Sequence, residues 1–554
     1  MTEAVANPWF RASFREWILT TDHKKIAILY GMTSILFFAV AGLMGMAIRM
    51  ELSDPGVQYL SPDLYNYLLT GHGAVMLLWW AIAFWAAFSN FLIPIMIGAK
   101  DVAFPRLNQL SYWFFFSASI LVLITLIPSQ NIKMMWTGYP PFSLHDSAGP
   151  TALYVLIVIL IAGSTLGTGV NFITTVLRMR TKGVTLGNTN LIIHGLMSSI
   201  VVQLVGVPAF VGAVIMLFLD KYIGTDFFGS GTGGDPVMYQ HLFWFYSHPA
   251  VYVMILPAFG VFSEVLSTMS QKPVYGQKSM IFAIWAIALL GFLVWAHHMF
   301  TAGMPHWLRL FMSFTTVLIG VPTGIKIFNW VATLHKGAIR INSPMLFTLG
   351  GIFMFLIGGL TGIPLALPAF DINVHDSAFV VGHFHYVLGM AVTLGAFSGV
   401  YYWYPKITGR MYSEALGMSS FVLMMIGSNL LYFAMMMVGI DGMPRRYVDY
   451  PAIENWITLN QVSTLGAWFL AAGVLLTFIS WFKGLSGPEV GPDPWGSPSL
   501  EWTIPSPPPP HNFTRFPVEV ADDWTPYQYI GHDRSGTGTA VQTPAANASE
   551  GRED

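Results

Sequence analysis

The chain has 554 residues, of which 54% are hydrophobic and only 10% are charged, and its mean hydropathy is +0.58. An ordinary soluble domain carries about 25% charged residues, so this composition excludes a soluble multidomain enzyme, a disordered protein and a nucleic-acid binder. The net charge of −2 indicates no polyanionic partner, and the absence of cysteine excludes disulfides, iron–sulfur clusters and thiolate zinc sites. The composition predicts an all-α polytopic membrane protein in which histidine or carboxylate groups bind any metal.

Residues 1–25 lack the apolar core and cleavage site of a signal peptide, and we interpret them as a cytoplasmic N-terminal segment. Twelve apolar stretches, each with the roughly 20 residues that cross a bilayer, predict a transmembrane domain over residues 26–483. Their centres lie near residues 38, 82, 118, 164, 205, 253, 291, 320, 357, 390, 427 and 472. Residues 484–554 are rich in proline and cannot continue a helix. We expect them to form a cytoplasmic tail, disordered over residues 536–554.

The lysine and arginine residues predict the orientation, because cytoplasmic loops are enriched in them. With the N-terminus inside, the cytoplasmic segments carry fifteen such residues and the opposite side six. Twelve spans return the C-terminus to the cytoplasm. The fifteen are Arg11, Arg15, Lys24, Lys25, Lys100, Arg106, Arg178, Arg180, Lys182, Lys272, Lys278, Lys336, Arg340, Lys406 and Arg410, and the six are Arg49, Lys133, Lys221, Arg309, Arg445 and Arg446.

Seven histidines fall within or at the edge of the predicted spans, where ionisable groups usually face a protein interior or a cofactor. A single membrane histidine most often makes an interhelical hydrogen bond, and this is our interpretation of His194 at the start of a span. Six others in four spans favour metal binding. They are His72, His248, His297, His298, His383 and His385.

The spacing of these histidines predicts how they share metals. An α-helix turns about 100° per residue, so His383 and His385 point about 200° apart and suit two cofactors on opposite faces of one helix. The adjacent pair at 297 and 298 diverges by about 100° and can close on one ion with a third ligand. His248 and Tyr252 lie on one helix face. Several metal centres packed together are therefore expected, with axial imidazoles as for haem and a three-imidazole site suited to copper.

Four segments resemble subunit I of the haem–copper oxidases of the cytochrome c oxidase type: FWFYSHPAVY, WAHHMFTAGM, PTGIKIFNW and HDSAFVVGHFHYVLGM. The resemblance runs from about residue 15 to about residue 520 in the family's order, with twelve spans. It implies an oxidase of the aa3 or caa3 type, with residues 26–483 as the catalytic domain. Such a subunit reduces O2 to water with electrons from cytochrome c and translocates protons.

The resemblance implies two haems, both of type A. His72 and His385 would be the axial ligands of the low-spin haem, and His383 would bind the high-spin haem at which oxygen reacts. Arg49 would contact the low-spin haem, and this suits haem A. Glu51 would join a Ca or Na site.

The resemblance also implies a copper ion, CuB, opposite the high-spin iron. His248, His297 and His298 would be its three ligands. Tyr252 matches the family's active-site tyrosine, which is covalently linked to the copper-ligand histidine one helical turn earlier. The catalytic residues would then be Tyr252, His248 and His383.

Polar groups on the external side have family counterparts. Paired arginines neutralise haem propionates with their guanidinium forks, and Arg445 and Arg446 match them, with Trp136 close by. His375 and Asp376 resemble the subunit I ligands of a Mg or Mn site that a neighbouring subunit completes.

Two proton paths are implied. Lys326 lies in the middle of a span, where an unpaired ammonium is expensive, and it resembles the lysine of the K-type path. Thr323, about one turn away, and Ser263 would accompany it. The D-type path would use Asp101 at its entrance, Asn108, and Ser164 and Thr165 in its upper part.

The chain departs from the common family pattern at Ala250, where most relatives carry a glutamate at the inner end of the D path. Tyr246 and Ser247 stand where glutamate-bearing members have phenylalanine and glycine. This YSHPxVY pattern resembles a branch in which the two hydroxyl groups replace the carboxylate. We predict that Tyr246 and Ser247 relay protons through water.

A c-type cytochrome, free or fused, is favoured as the electron donor. Quinol-oxidising relatives carry an Arg–Asp pair at the positions of Val40 and Met44, and histidine and glutamine at those of Leu64 and Tyr67. Without cysteine this chain cannot build the dinuclear copper that receives the electrons, so subunit II would carry it. Subunit III, other oxidase subunits and membrane lipid are further expected partners, and the bacterial plasma (inner) membrane is the expected location.

Three alternatives stay open. A quinol oxidase uses another donor. A nitric oxide reductase would hold iron at the three-histidine site, and Tyr252 and Lys326 disfavour it. A metal-free transporter or channel with protonatable histidines belongs to a different class of protein.

Overall fold

The computed structural model describes residues 13–145, 148–229 and 233–513, with residues 518, 520–521 and 524–529. Within them, twelve helices are long and apolar enough to cross a membrane, and no β-strand is formed. The predicted all-α fold with twelve spans is confirmed, and each predicted centre falls inside its helix. Residues 1–12 and the stretch expected to be disordered, 536–554, lie outside the described residues. Helices α1 to α12 are His23–Glu51, Pro62–Met96, Pro105–Ile124, Gly149–Arg178, Leu191–Tyr222, Pro236–Ser270, Gln277–Met299, His306–Leu334, Ser343–Leu365, Ala378–Thr408, Glu414–Ile440 and Glu454–Gly484.

Helices α6 and α2 form the centre of the bundle. In their most apolar windows 89% and 78% of the residues are buried, against 28–50% in the other ten helices. Short helices lie before, between and after the spans. They are Phe14–Leu19, Phe142–His145 and Pro368–Val374, with the 3-10 turns Pro128–Gln130 and Leu500–Thr503.

Three helices leave α geometry beside their histidines. In α2 a π-helical segment, Met76–Ile82, follows His72 by one turn, and in α10 a second one, His385–Val392, begins at a histidine. The expectation of an α-helix at residues 297 and 298 is wrong, because α7 ends in the 3-10 turns Gly291–Leu293 and Trp295–Met299. There successive residues turn about 120°. The π-helical segments Met76–Ile82 and His385–Val392 are of a kind that often marks functional sites.

The proline-rich segment after α12 packs back against the end of the bundle where α1 begins. The Lys406 ammonium of α10 donates hydrogen bonds to the carbonyls of Ile504 at 2.6 Å and Pro492 at 3.0 Å. Asn512 is fully buried, and its amide oxygen lies 3.1 Å from His23 Nε2 and 3.2 Å from Lys24 Nζ. These contacts attach the segment to the first and tenth spans.

This packing buries Glu501, which is 1% exposed. Burial raises the pKa of the Glu501 carboxyl to about 7, and a hydrogen bond from the Ser499 hydroxyl opposes the rise only partly. The ordinary value is about 4.3, so between these pH values the folded protein binds more protons than the unfolded one. Its stability therefore falls as pH rises through this window.

We expect Glu501→Gln to reduce the fall in stability between pH 5 and 7 by about 2 kcal/mol. Thermal unfolding of the purified protein as a function of pH measures the effect. Glu489→Gln is the matched control, since Glu489 belongs to the same segment but its side chain is 72% exposed. An unchanged pH profile in Glu501→Gln would show that Glu501 does not titrate in this way.

Candidate metal and haem site

Three histidine rings from two helices meet in the interior of the bundle. His248 of α6 and His297 and His298 of α7 each offer a ring nitrogen, and these nitrogens lie within 4.8 Å of one another. His248 Nδ1 and His298 Nε2 are 3.1 Å apart. Two neutral nitrogens that close are repulsive unless a proton or a cation lies between them. Bonds of about 2 Å from imidazole to a divalent metal fit this spacing, so the three rings can hold one metal ion.

The surroundings orient the rings of this triad. The Thr316 hydroxyl donates to the Met312 carbonyl and therefore accepts a hydrogen bond from His297 Nδ1–H at 3.0 Å, so that Nε2 of His297 is free to bind a metal. His298 stacks on Trp244 with ring centroids 3.7 Å apart. The 3-10 geometry thus still brings both adjacent histidines to His248.

Tyr252 lies beside the triad. Its ring centroid is 4.9 Å from that of His248, one turn earlier on α6. A Cβ atom added at Gly291 would lie 2.7 Å from Tyr252 Cδ2, so the glycine lets α7 approach the phenol closely. The structure therefore places a phenol next to the triad, as the helix spacing predicts.

A second pair of histidines faces each other across a gap. The rings of His72 and His385 are nearly parallel, at 13°, with centroids 6.3 Å apart. An iron bonded to one nitrogen of each ring, at the roughly 2 Å typical of imidazole ligands, would put the centroids at about this distance. Each Nδ1 lies 2.8 Å from a backbone carbonyl, of Ala41 and Val381 respectively. Both Nε2 atoms are therefore free to bind metal.

The His383 ring points away from the pair formed by His72 and His385, as expected for side chains about 200° apart around a helix. Its Nδ1 lies 3.0 Å from the hydroxyl oxygen of Thr361 on α9, and that hydroxyl donates to the Gly358 carbonyl. The His383 Nε2 atom is consequently free. His385 instead stacks on Tyr432 of α11 at 4.9 Å.

Glycines make room around these rings. A Cβ atom at Gly45 would lie 2.8 Å from His72 Cε1, one at Gly362 would lie 3.1 Å from His383 Cε1, and one at Gly389 would lie 3.1 Å from His385 Cδ2. Small residues on three helices thus surround the free imidazole nitrogens. This donor set and this spacing fit two haems and one copper.

Arg49 lies one turn beyond Gly45 on the same face of α1. It is 7% exposed, and its Nη2 donates to Asn460 Oδ1 of α12 at 3.0 Å. Its Nε has no partner among the described residues. One donor therefore remains for a group bound next to His72.

The three backbone amides of residues 58–60 donate to the Glu51 carboxylate at 2.7–2.8 Å. Glu51 is fully buried. These bonds attach the following loop to α1.

Arg445, between spans α11 and α12, pairs with Asp376, between spans α9 and α10. The Arg445 Nε donates to Asp376 Oδ1 at 2.8 Å. Although burial raises it, the pKa of Asp376 stays below its usual value because Arg445 is close. His375 Nε2 is 3.9 Å from Asp376 Oδ2, and His375 Nδ1 is 2.9 Å from Asp371 Oδ2. Asp371 therefore orients His375 towards Asp376.

Arg446 makes no hydrogen bond to another described residue. Burial and the neighbouring Arg445 lower the pKa of its guanidinium to about 10, so an anion there would be stabilised. Trp136 packs against Phe243 with centroids 5.1 Å apart and lies 3.4 Å from a Cβ added at Gly73, next to His72. Arg446 and Trp136 thus suit a bound group that places acidic substituents next to them.

Lys326 is completely buried, and its ammonium has no hydrogen-bond partner among the described residues. It lies 5.2 Å from the ring centroids of Phe259 and Trp330. Trp330 Nε1 donates to Ser263 at 3.0 Å, while Thr323 donates to the Ile319 carbonyl at 2.8 Å. Lys326 and Ser263 therefore belong to one cluster around Trp330. An unpaired buried ammonium is expensive, so Lys326 either binds water there or takes part in proton transfer.

Asp101 lies between α2 and α3. Burial raises the pKa of its carboxyl, and the Val102 N–H partly opposes this. Asn108 is fully buried and donates to Asn90 Oδ1 at 2.5 Å, but its own Oδ1 has no partner among the described residues. Buried atoms of this kind indicate ordered water.

An internal cavity of about 50 Å³ lies further along the same side of the bundle. It has room for about three waters. Ser164 and Thr165 line it, as does Tyr30, whose hydroxyl is 2.9 Å from Ser164 Oγ. The predicted upper D-path residues therefore line a water-sized space.

Tyr246 is 5% exposed and stacks on Phe210 with centroids 5.4 Å apart. Ser247 is 4% exposed. Within the described part of the chain, neither hydroxyl is hydrogen-bonded to another residue. Both are therefore available to water.

His194 makes the expected interhelical hydrogen bond. Trp285 Nε1 of α7 donates to His194 Nδ1 at 3.2 Å, and His194 Nε2 lies 2.9 Å from the Leu186 carbonyl. This prediction is confirmed.

A model of the family "Cytochrome C and Quinol oxidase polypeptide I" matches residues 25–469. The match covers most of the chain and includes all six histidines described above. The chain belongs to this family. The resemblance inferred from the four motifs is thereby confirmed, and membership implies haem and copper as cofactors and further oxidase subunits as partners.

Curated members of the family are similar over nearly their whole length. "Cytochrome c oxidase subunit 1" of Synechocystis is 44% identical over 97% of this chain and 100% of that protein, and that of Cereibacter sphaeroides is 39% identical over 93% and 97%. "Quinol oxidase subunit 1" of Bacillus subtilis is 40% identical over 92% and 79%. Overall sequence identity therefore does not distinguish cytochrome c from quinol as the electron donor.

A cryo-EM structure of a heme–copper terminal oxidase dimer has the same fold. It covers 85% of each chain with a TM-score of 0.73 and 20% identity. The oxidase fold and the twelve apolar helices make this chain a multi-pass membrane protein.

Several side chains that complete these sites were not predicted. Asp371 has a sequence signal, since it lies one helical turn before His375. Thr316 and Thr361 have none, because they reach their histidines from other helices. The others are Tyr30, Asn90, Gln203 and Trp244.

Proposed function

We propose that this chain is the catalytic subunit of a terminal respiratory oxidase that reduces O2 to water with electrons from cytochrome c and translocates protons. The observation that carries the proposal is the triad of His248, His297 and His298 with Tyr252 one turn away, in a member of the oxidase polypeptide I family. When bound, the haems and the copper supply electron transfer to O2.

The free ring nitrogens support an assignment of each cofactor. His72 and His385 would hold the low-spin haem, His383 the high-spin haem, and the triad the copper. The haems would be of type A. The environments of Arg49 and Arg446, each with donors left over, support contacts to haem substituents. The finer assignment also includes a Mg or Mn ion at His375 and Asp376 and a Ca or Na ion at Glu51.

A matched pair of glycine variants tests the low-spin haem assignment. Gly45→Ala places a methyl group 2.8 Å from His72, whereas the same change at Gly42 places it 3.9 Å from its nearest neighbour. We expect Gly45→Ala to perturb the low-spin haem absorbance and to lower turnover about tenfold, since small misplacements cost this much or more. Gly42→Ala should behave like wild type. Equal spectra in the two variants would contradict the assignment.

The residues of this chain support two routes for protons. Lys326, Thr323 and Ser263 would form one route. The other would begin at Asp101, whose raised pKa makes it a better proton acceptor. It would continue through Asn108 to the cavity at Ser164 and Thr165, and then through water to Tyr246 and Ser247.

A double variant tests the final relay. Because Ala250 has no polar side chain, the relay depends on the two hydroxyls before His248. We expect Tyr246→Phe with Ser247→Ala to lower turnover about tenfold and to weaken pumping, without changing the optical spectrum. Oxygen-consumption and vesicle proton-pumping assays measure the effect. Turnover and pumping at wild-type levels would contradict the relay.

The partners would include a subunit II with the dinuclear copper, a subunit III and a free or fused cytochrome c. The chain would lie in the bacterial plasma membrane with both termini in the cytoplasm. The relatives from Synechocystis and Cereibacter sphaeroides support the bacterial setting.

Quinol oxidation is the second candidate, because the Bacillus subtilis relative is a quinol oxidase subunit at 40% identity. Against it, Met44 is 7% exposed and Val40 offers no polar group, so α1 lacks the paired charges of quinol-oxidising relatives. Turnover of the purified complex with reduced cytochrome c and with ubiquinol separates the candidates. Preference for ubiquinol would overturn the donor assignment.

A further inference from the structure

Gln203 carries the only side-chain amide among the residues that line the internal cavity. It lies within span α5, and its amide has no hydrogen-bond partner among the described residues. Its neighbours on the same helix face, Leu196, Ser199 and Ile200, also line the cavity. An amide in a membrane span is costly unless it has a partner, and water in the cavity is the partner that this position offers.

The packing of α5 against α6 shows which residues of α6 lie at the same height in the bundle as Gln203. The two helices run antiparallel, with the Ser199 hydroxyl donating to the Val253 carbonyl at 2.9 Å. About two turns further along α5, a Cβ added at Gly206 would lie 2.8 Å from Tyr246 Cδ2. Residue 203 lies between these two contacts. It is therefore level with residues 249 and 250, where α6 provides only Pro249 and Ala250.

The chemistry of an amide suits a chain of water molecules at this point. It offers two donors and an acceptor, and it stays neutral, so it can hold waters in either hydrogen-bond orientation. Two other polar groups of the cavity are already engaged. Ser199 donates to a backbone carbonyl, and Tyr30 lies 2.9 Å from Ser164.

We propose that Gln203 is a positioning residue that holds the water molecules carrying protons from the cavity to Tyr246 and Ser247. It supplies from α5 the polar group that α6 lacks at Ala250. This inference rests on the proposed oxidase function and adds to it a residue outside the metal site.

The test uses the purified holoenzyme complex with Gln203→Leu, Gln203→Asn and a control, Val205→Leu, at a position of α5 that is 52% exposed. Optical spectra, oxygen consumption, proton uptake in vesicles and the rate ratio in H2O and D2O are measured. We expect Gln203→Leu to keep the wild-type spectrum, to lower turnover and proton uptake about tenfold, and to increase the solvent isotope effect. Gln203→Asn should recover most of the loss, and Val205→Leu should match wild type.

Two outcomes would overturn this inference without affecting the proposed function. The first is wild-type turnover and proton uptake in Gln203→Leu. The second is an equal loss of turnover in Gln203→Leu and Gln203→Asn together with altered spectra, which would indicate a structural role. If the wild-type complex fails to reduce O2, the proposed function fails, and this inference fails with it.

Discussion

Replacing His298 with alanine is expected to abolish oxygen reduction while leaving the low-spin haem intact. The change leaves two ring nitrogens where three now lie within 4.8 Å of one another. Loss of an outer partner of a metal ligand costs about 10–100-fold in affinity or activity, so loss of a direct ligand should cost more. The pair formed by His72 and His385 belongs to other helices and is not touched by the change.

Metal analysis and the optical spectrum of the purified complex measure this result. His241→Ala is the matched control, because His241 lies on α6 two turns before His248 and accepts a hydrogen bond from Trp295 at 3.2 Å without joining the triad. We expect the control to keep its copper. A His298→Ala protein with full copper content and turnover would disprove the copper assignment.

Replacing Lys326 with methionine is expected to lower turnover about a hundredfold, the usual contribution of a proton-transfer group, without destabilising the protein. The Lys326 ammonium is buried and has no hydrogen-bond partner among the described residues. Replacing a buried charge with an apolar side chain of similar size is often neutral or stabilising. The spectra of both haems should be unchanged.

Lys406→Met should show the opposite behaviour. Lys406 is equally buried, but it donates to carbonyls of the segment after α12. Its removal leaves these acceptors unpaired, at about 1–3 kcal/mol each, and lies away from the metal site. Thermal unfolding and oxygen consumption are measured for both variants. If Lys326→Met turns over normally, or only loses stability, Lys326 has no role in proton transfer.

The sequence predicts the twelve spans well because each is a continuous apolar run separated from the next by charged or Gly/Pro-rich residues. It predicts the divergence of His383 and His385 because that depends only on helix geometry. The 3-10 turn at His297 and His298 could not be predicted, because the apolar run of this span continues through both histidines and only the packing of the bundle distinguishes the two helix types. The π segments likewise depend on tertiary packing and have no local sequence signal.

Contacts between distant parts of the chain could not be predicted from the sequence either. The pairing of Arg445 with Asp376 joins two sites that seemed independent. The role of Gln203 depends on its depth against α6 and on the cavity beside it, neither of which a single span reveals. The Glu501 carboxyl becomes buried only because the proline-rich segment returns to the bundle.

One set of measurements on the purified complex decides whether this chain is an oxidase subunit: a reduced-minus-oxidised optical spectrum, iron and copper analysis, and oxygen consumption on reduced cytochrome c. We expect low-spin and high-spin haem signals, copper bound to this chain and cytochrome c-dependent reduction of O2. A spectrum without haem, or haem without copper, would overturn the oxidase assignment.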